Sequence, residues 1–220
     1  MPLLTAYKAV FVHIPKTGGT SVAGAFGLTE DHQDGSKVLY GRDPVSGELW
    51  LHHLGIQSLL DTGRLKGCEK WYRFSFVRNP WTRCRSSWLF QKSRGFDVAD
   101  TLEEHIDDIE AQLKCKLGLF VTDAPQHWFL YGRDGTLLVD ALGRFEHLQE
   151  TFDAICLRLG APQRKLPFLN ETPAPQELID VSHYTCKMAA KVGAIYREDC
   201  IRFGYDSDGL VLEESESVLL

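Results

Sequence analysis

The sequence predicts an α/β fold in which a central, mostly parallel sheet is flanked by helices. The first observation is an apolar, β-branched segment, Ala9–Ile14, followed by a glycine-containing loop and small, helix-compatible residues. The second is a similar segment, Trp71–Val77, followed by Asn79 and Pro80, which suit the N-cap and first position of a helix. A strand that leads through a short loop into a helix is typical of α/β units.

Local patterns predict the other elements. Segments 38–40 and 48–51 flank a Gly- and Pro-containing turn, which predicts a hairpin. Thr101–Glu104 is a capping box, and behind it one helical stripe of apolar residues is formed by Leu102, Ile106, Ile109, Leu113 and Leu117. We also predict helices over 55–62, 148–159 (ending at Gly160) and 184–203, a strand over 137–139, and a proline-rich loop over 161–176.

Length and composition bound the function. We predict one domain over residues 1–205, because 220 residues are enough for a full hydrophobic core. Residues 206–220 carry five acidic side chains and no basic one, so we expect a flexible tail. The longest uncharged stretch, 17–29, is too short to span a bilayer and no secretory signal is visible, so we expect a cytoplasmic protein. The six cysteines show no CxxC spacing, which gives a metal site no support.

The segment Pro15–Ser21, Pro-Lys-Thr-Gly-Gly-Thr-Ser, has the composition of a phosphate-binding loop. Its glycines allow several backbone N–H groups to point into one concavity, and the helix that follows adds partial positive charge. Lys16 adds a full charge, and Thr17, Thr20 and Ser21 add hydroxyl donors. The usual nucleoside-triphosphate loop places its lysine after the glycines. Here Lys16 precedes them, and a surface lysine beside a glycine turn is the structural alternative.

A second anion site is indicated after the second strand. Arg78 stands at the strand end, next to a helix start, and Ser86 follows on that helix. From Trp71 to Phe96 the chain carries six basic residues and no acidic one. A salt bridge of Arg78 and a solvated basic helix face are the structural alternatives. Two anion sites, one after each strand, predict a ligand with two separated phosphoryl groups.

Together, His13–Ser21 and Phe76–Trp81 (Phe-Val-Arg-Asn-Pro-Trp) resemble the two nucleotide-binding segments of sulfotransferases that use PAPS, 3′-phosphoadenosine 5′-phosphosulfate. The closer resemblance is to the carbohydrate-type branch, sulfotransferase family 2, which includes heparan and chondroitin sulfotransferases. Weaker similarities at Gly143–Glu146, Leu166–Asn170 and Tyr196–Tyr205 extend the resemblance over about residues 9–205. The resemblance implies a three-layer P-loop-like fold, PAPS as co-substrate, PAP as product, and no metal.

The resemblance also implies roles for individual residues. The 5′-phosphosulfate is assigned to Lys16, Thr17, Gly18, Gly19, Thr20 and Ser21, and the 3′-phosphate to Arg78 and Ser86. Thr82 stands where the family commonly has an acid, and Arg85 where it has a small aliphatic residue. These departures leave the anion donors intact, so we expect them to affect partners more than the cofactor.

The resemblance implies a histidine as catalytic base. The family often places it in a Lys-His-Ala-Thr-like segment, and here that segment is His52-His53-Leu54-Gly55. Matching the helix ends gives His53 the histidine place, whereas a shift of one residue gives it to His52, and both remain candidates. His13 is interpreted as structural, and the histidines without partner spacing are His32, His105, His127, His147 and His183.

We expect in-line transfer, in which His53 accepts the proton of the attacking hydroxyl and Lys16 neutralises charge on the leaving phosphate. The acceptor does not follow from the sequence; we expect a carbohydrate, a glycan precursor or a small hydroxyl metabolite. Four tryptophans suit either stacking on a sugar or burial in the core: Trp50, Trp81, Trp88 and Trp128. Leu137–Asp140 imitates the apolar segment and Asp that hold magnesium in nucleoside triphosphatases, so a magnesium-dependent, kinase-like P-loop phosphotransferase is an alternative. The others are a non-catalytic polyanion-binding module built on residues 71–96 and an inactive sulfotransferase-like module. No nucleic-acid-binding motif is present, and the oligomeric state does not follow from the sequence.

Overall fold

The computed structural model describes residues 2–28, 37–38, 53–115, 119–167 and 184–206. They form two compact units: the sheet unit comprises the described residues of Met1–Val77 and Trp128–Asn170, and the helical unit those of Arg78–His127 and Glu171–Ser215. The single domain over 1–205 stays a prediction. Three predicted features lie outside the described residues: the hairpin apart from Val38, with Trp50 in it; His52; and residues 207–220 of the tail.

The sheet unit is built on a mixed sheet. Its described strands are β1 Pro2–Leu4, β2 Ala9–Val12, β3 Lys37–Val38, β4 Tyr72–Val77 and β5 Ala141–Arg144. Their order is β3-β1-β2-β4-β5; β2, β4 and β5 pair in parallel, whereas β1 is antiparallel to both of its neighbours. A single 3-10 turn over Thr5–Tyr7 joins β1 to β2, and so short a connection permits only antiparallel pairing. The α/β class is therefore confirmed, and the sheet is mixed instead of mostly parallel.

The described helices are α1 Gly19–Ala25, α2 Ile56–Asp61, α3 Pro80–Ser93, α4 Leu102–Cys115, α5 His127–Leu130, α6 Leu148–Leu159, α7 Cys186–Ile195 and α8 Arg197–Phe203. In the sheet unit, α1 and α6 share a core with alternate residues of the parallel strands. Phe11 of β2 stacks on Phe74 of β4 with ring centroids 5.1 Å apart. Phe152 of α6 is fully buried in the same core. Burying aromatic side chains of this size contributes on the order of 2 kcal/mol each, and this core fixes the strand ends that carry the loops.

The strand predicted at 137–139 is wrong, because the ladder with β4 begins only at Ala141. Leu137 makes only an isolated bridge with Tyr131. Asp140 instead joins the β4 backbone: its N–H donates to the Arg73 carbonyl (2.7 Å), and its carboxylate accepts the Arg73 N–H (2.7 Å). Gly143 of β5 lets α6 approach, since a Cβ there would lie 2.4 Å from Cγ2 of Thr151.

Capping chemistry sets the helix ends of the helical unit as predicted. The Asn79 side chain accepts hydrogen bonds from the N–H groups of Trp81 (3.0 Å) and Thr82 (3.3 Å), which starts α3. Thr101 and Glu104 exchange the two capping-box bonds at the start of α4.

The predicted last helix is divided in two at Tyr196, between α7 and α8. The Tyr196 side chain is buried, and its hydroxyl donates to the Asp123 carbonyl (2.8 Å). This anchor holds the chain at the bend.

Candidate functional site

The loop between β2 and α1 has an unusual backbone. Lys16 is left-handed (φ 66°), a conformation that disfavours non-glycine residues, and Gly18 follows at φ 80°. The Thr17 side chain is fully buried, and its hydroxyl donates to the Ile14 carbonyl (2.9 Å). The hydroxyl hydrogen of Thr17 therefore stabilises the turn, and the group of Thr17 that can donate to a ligand is its backbone N–H. Strain of this kind in a loop is a pointer to a functional site.

Neighbouring side chains occupy the space that the two glycines leave. A Cβ on Gly18 would lie 2.7 Å from Cδ2 of Leu148, and the Phe145 ring follows at 3.2 Å. A Cβ on Gly19 would lie 2.0 Å from Cδ2 and 2.1 Å from Nε2 of His13. The loop is therefore packed against Leu148 and Phe145 at Gly18 and against the His13 ring at Gly19.

The donors in this loop suit an anion. Lys16 is half-buried. Thr20 and Ser21 lie in the first turn of α1, where Thr20 is exposed and Ser21 is largely buried. No acidic residue occurs between Ala9 and Leu28. A cation, hydroxyl groups and a glycine-rich backbone, in a segment that itself contains no acidic residue, match the chemistry of a phosphate or sulfate group.

His53 lies next to this loop, and its hydrogen bond decides which ring nitrogen carries the proton. Its Nδ1 is 2.9 Å from the backbone oxygen of His13, and the two rings lie edge to face with centroids 4.6 Å apart. A carbonyl oxygen only accepts, so Nδ1–H of His53 is the donor. In the neutral ring this leaves Nε2 as the nitrogen that accepts a proton.

The structure thus brings together residues that the sequence treated separately. His13, interpreted as structural, supplies both the carbonyl that holds His53 and the ring that contacts Gly19. The alternative base, His52, lies outside the described residues. The sequence indicated the role of His13 beside the loop only by its position, two residues before Pro15.

In the helical unit, Arg78 and Ser86 are both half-buried, one before α3 and the other within it. The Arg78 Nε donates to the Thr82 hydroxyl (3.0 Å), which in turn donates to the Asn79 carbonyl (3.1 Å). Thr82, the departure from the family pattern, therefore orients the guanidinium of Arg78 through an uncharged acceptor, its hydroxyl oxygen.

The basic stretch 71–96 is not a uniformly solvated face. Arg83 and Arg85 are 1 % and 4 % exposed. The guanidinium of Arg83 donates to the Ala124 carbonyl (3.0 Å). Both side chains lie in the interior of the helical unit, so neither charge is exposed to a polyanion.

Asp140 does not occupy the magnesium-binding place that its sequence suggested. It precedes β5, and its carboxylate accepts the backbone N–H of Arg73 at the start of β4. The glycine loop follows the end of β2, which is parallel to β4. Asp140 and the loop therefore lie at opposite ends of the parallel strands, Asp140 at the N-terminal ends and the loop at a C-terminal end.

Sequence reasoning missed a set of buried polar pairs in the helical unit. His105 and His127 both have carboxylate partners, Asp123 at 3.2 Å and Asp199 at 2.6 Å. These partners are 18 and 72 residues away, so no local spacing could identify them.

Of the described tryptophans that are candidates for sugar stacking, Trp81 and Trp88 are buried, whereas Trp128 is 53 % exposed.

Comparisons with known proteins give no relative. No protein-family model matches the chain, and neither does a curated protein or a solved structure. Within the described ranges, no helix combines the length and apolar character that a bilayer span requires. In the same ranges, no three His, Cys, Asp or Glu side chains are grouped as they would be around a metal ion.

Proposed function

We propose that this protein is a cytoplasmic sulfotransferase with a three-layer P-loop-like fold, moving a sulfuryl group from PAPS to a hydroxyl of a carbohydrate or small-molecule acceptor. The observation that carries the proposal is the contact of two histidines with the anion loop. His53 donates Nδ1–H to the His13 carbonyl, and the His13 ring fills the space beside Gly19. A proton acceptor and an anion cradle in one place are what group transfer to a hydroxyl requires.

The donor set fits the nucleotide. The 5′-phosphosulfate would be held by Lys16, Gly18, Gly19, Thr20, Ser21 and the backbone of Thr17, because they provide positive charge and N–H and O–H donors in a segment without an acidic residue. Arg78, oriented by Thr82, and Ser86 would hold the 3′-phosphate. A ligand with two anionic ends explains why the chain has a cationic residue after each of two parallel strands.

The residues divide the chemical work as follows. PAPS, when bound, supplies the sulfuryl group and a phosphate leaving group. His53 Nε2 would accept the hydroxyl proton as the acceptor oxygen bonds to sulfur and the bond from sulfur to the 5′-phosphate oxygen breaks. The His13 carbonyl keeps the His53 ring in the tautomer that this needs. Lys16 stabilises the negative charge that develops on the leaving phosphate oxygen, the role a metal ion plays in other transferases.

Two observations weigh against the alternatives. Asp140 contacts the Arg73 backbone at the end of the strands opposite to the loop. This position disfavours a phosphotransferase in which Asp140 binds magnesium. The burial of Arg83 and Arg85 removes two charges from the stretch on which a polyanion-binding module would rely.

The first experiment measures nucleotide binding. We expect PAP to raise the melting temperature, because a ligand that binds only the folded state stabilises it, and EDTA to leave this effect unchanged. ADP and ATP with magnesium serve as comparison ligands. Stabilisation by magnesium-ATP together with no response to PAP would reject the proposal in favour of a phosphotransferase.

The second experiment tests the base. With ³⁵S-labelled PAPS and a pool of desulfated oligosaccharides and small alcohols, we expect His53→Ala to lose roughly 10²–10⁴-fold in turnover. Its affinity for PAP should stay within about 2-fold, because the anion donors are unchanged. The acid limb of the wild-type pH profile, which reports imidazole protonation, should disappear in the variant.

The control for the base is His147→Ala, which removes a half-buried imidazole of the same unit that pairs with Glu150. This variant should keep full turnover. Full turnover of His53→Ala on an acceptor that the wild type sulfates would show that another group, such as His52, accepts the proton.

A further inference from the structure

The backbone of Arg78 is held by one buried side chain in the helical unit. Gln126 is completely buried, and its Oε1 accepts the Arg78 N–H at 2.8 Å. Its Nε2 donates to the Arg78 carbonyl, also at 2.8 Å. One amide thus pairs with both polar backbone groups of Arg78, as a neighbouring strand would.

The Gln126 backbone is held in turn by a buried carboxylate. Asp199 is 0 % exposed, and its Oδ2 accepts the Gln126 N–H at 2.7 Å. Its Oδ1 accepts the N–H (2.9 Å) and the Nδ1–H (2.6 Å) of His127. Burying an ionised carboxylate is expensive unless it is fully hydrogen-bonded, so three donors at these distances mark a rigid arrangement.

The side chain of Arg78 is fixed from a different direction. Its Nε donates to the Thr82 hydroxyl at 3.0 Å, one helical turn along the chain. Gln126 therefore sets where the Arg78 backbone lies, and Thr82 sets the direction of the guanidinium.

We infer that Gln126 and Asp199 are positioning residues for anion recognition, holding Arg78 so that its guanidinium meets a phosphate monoester. This inference rests on the proposed function, in which Arg78 contacts the 3′-phosphate of the nucleotide. Neither residue contacts the ligand in this scheme; both act through Arg78. Preorganisation of a charged ligand raises affinity because less conformational freedom is lost on binding.

The test compares two nucleotides that differ at the 3′ position. PAP carries the 3′-phosphate and adenosine 5′-phosphosulfate does not. Their 5′ groups also differ, but that difference is the same for every variant, so the change in the ratio of their dissociation constants from wild type to variant reports recognition of the 3′-phosphate. Gln126→Met keeps the length of the side chain and removes both hydrogen bonds. We expect it to weaken PAP about 10-fold, and adenosine 5′-phosphosulfate less than about 2-fold.

Asp199→Asn provides a second variant that preserves shape. Its amide group would face one of the N–H donors that the carboxylate now accepts, so we expect a loss of about 5-fold for PAP alone. In the Arg78→Ala background, Gln126→Met should have no further effect on the ratio, because the residue that it positions is gone.

The matched control is Gln91→Met. Gln91 is also buried in the helical unit, where its Nε2 donates to Asp123 (2.7 Å), Ser87 (3.0 Å) and Thr122 (3.2 Å). It should lower the melting temperature as Gln126→Met does and leave the ratio unchanged.

Equal weakening of both nucleotides by Gln126→Met and Asp199→Asn would overturn the inference and leave only a structural role. No change of the ratio in either variant would overturn it as well. An Arg78→Ala variant that weakens both nucleotides equally, or neither, would instead refute the proposed role of Arg78, on which the inference rests.

Discussion

Gly19→Ala tests the packing of His13 on the anion loop. The added Cβ would lie 2.0 Å and 2.1 Å from two atoms of the His13 ring and 2.8 Å from its Cγ, so the ring or the loop has to move. Forcing a side chain into a filled site costs about 1–3 kcal/mol. Since His13 also holds His53 through its carbonyl, the variant should lose turnover as well as stability.

The sign of the effect should reverse when the ring is removed. Gly19 is the first residue of α1 and does not have a positive φ, so alanine fits its backbone and favours a helix by as much as about 1 kcal/mol. In the His13→Ala background, Gly19→Ala should therefore be neutral or stabilising. The expected coupling free energy between the two positions is about 1–3 kcal/mol, the cost of the clash alone, because the helix propensity of alanine contributes equally in both backgrounds and cancels.

Urea denaturation of the four proteins, wild type, two single variants and the double variant, measures this coupling. Each kcal/mol should also shift the melting temperature by about 2–4 °C in a chain of this size. If Gly19→Ala destabilises the His13→Ala protein as much as the wild type, the ring does not fill the site beside Gly19, and the structural basis for placing His53 at the loop is lost.

Three further predictions follow from the described contacts. Arg78→Ala should weaken PAP roughly 10–100-fold by calorimetry and adenosine 5′-phosphosulfate little, and equal losses would show that Arg78 does not contact the 3′-phosphate. Asp140→Asn should lower the free energy of unfolding by about 1 kcal/mol, because the carboxylate accepts the Arg73 N–H, without changing PAP affinity or sulfuryl transfer; abolished transfer would indicate a catalytic carboxylate. Burial, aided by the Asp123 charge, raises the pKa of the Cys84 thiol from 9.0 to about 12, so the folded state holds this proton more tightly than the unfolded state does. The free energy of unfolding should therefore fall as the pH rises above about 9, and less steeply in Cys84→Ala; identical slopes would contradict the burial of this thiol.

The sequence alone determined the features that depend on near neighbours in the chain. The strands at Ala9–Val12 and Tyr72–Val77, the Asn79 cap and the end of α6 at Gly160 all agree with the predictions. They depend on hydrophobic periodicity and on capping side chains within four residues of the groups they satisfy. The glycine loop and its lysine were identified for the same reason, since the anion-binding chemistry is concentrated in seven consecutive residues.

The tertiary structure decided everything that needs a distant partner. It placed β5 at Ala141–Arg144 and buried Arg83 against a carbonyl 41 residues away. It also brought His53 to the carbonyl of His13 across 40 residues, and clamped the Arg78 backbone with an amide 48 residues distant. A buried polar group needs a hydrogen-bond partner, but which residue meets that need is set by how the elements pack, and no local pattern along the chain encodes it.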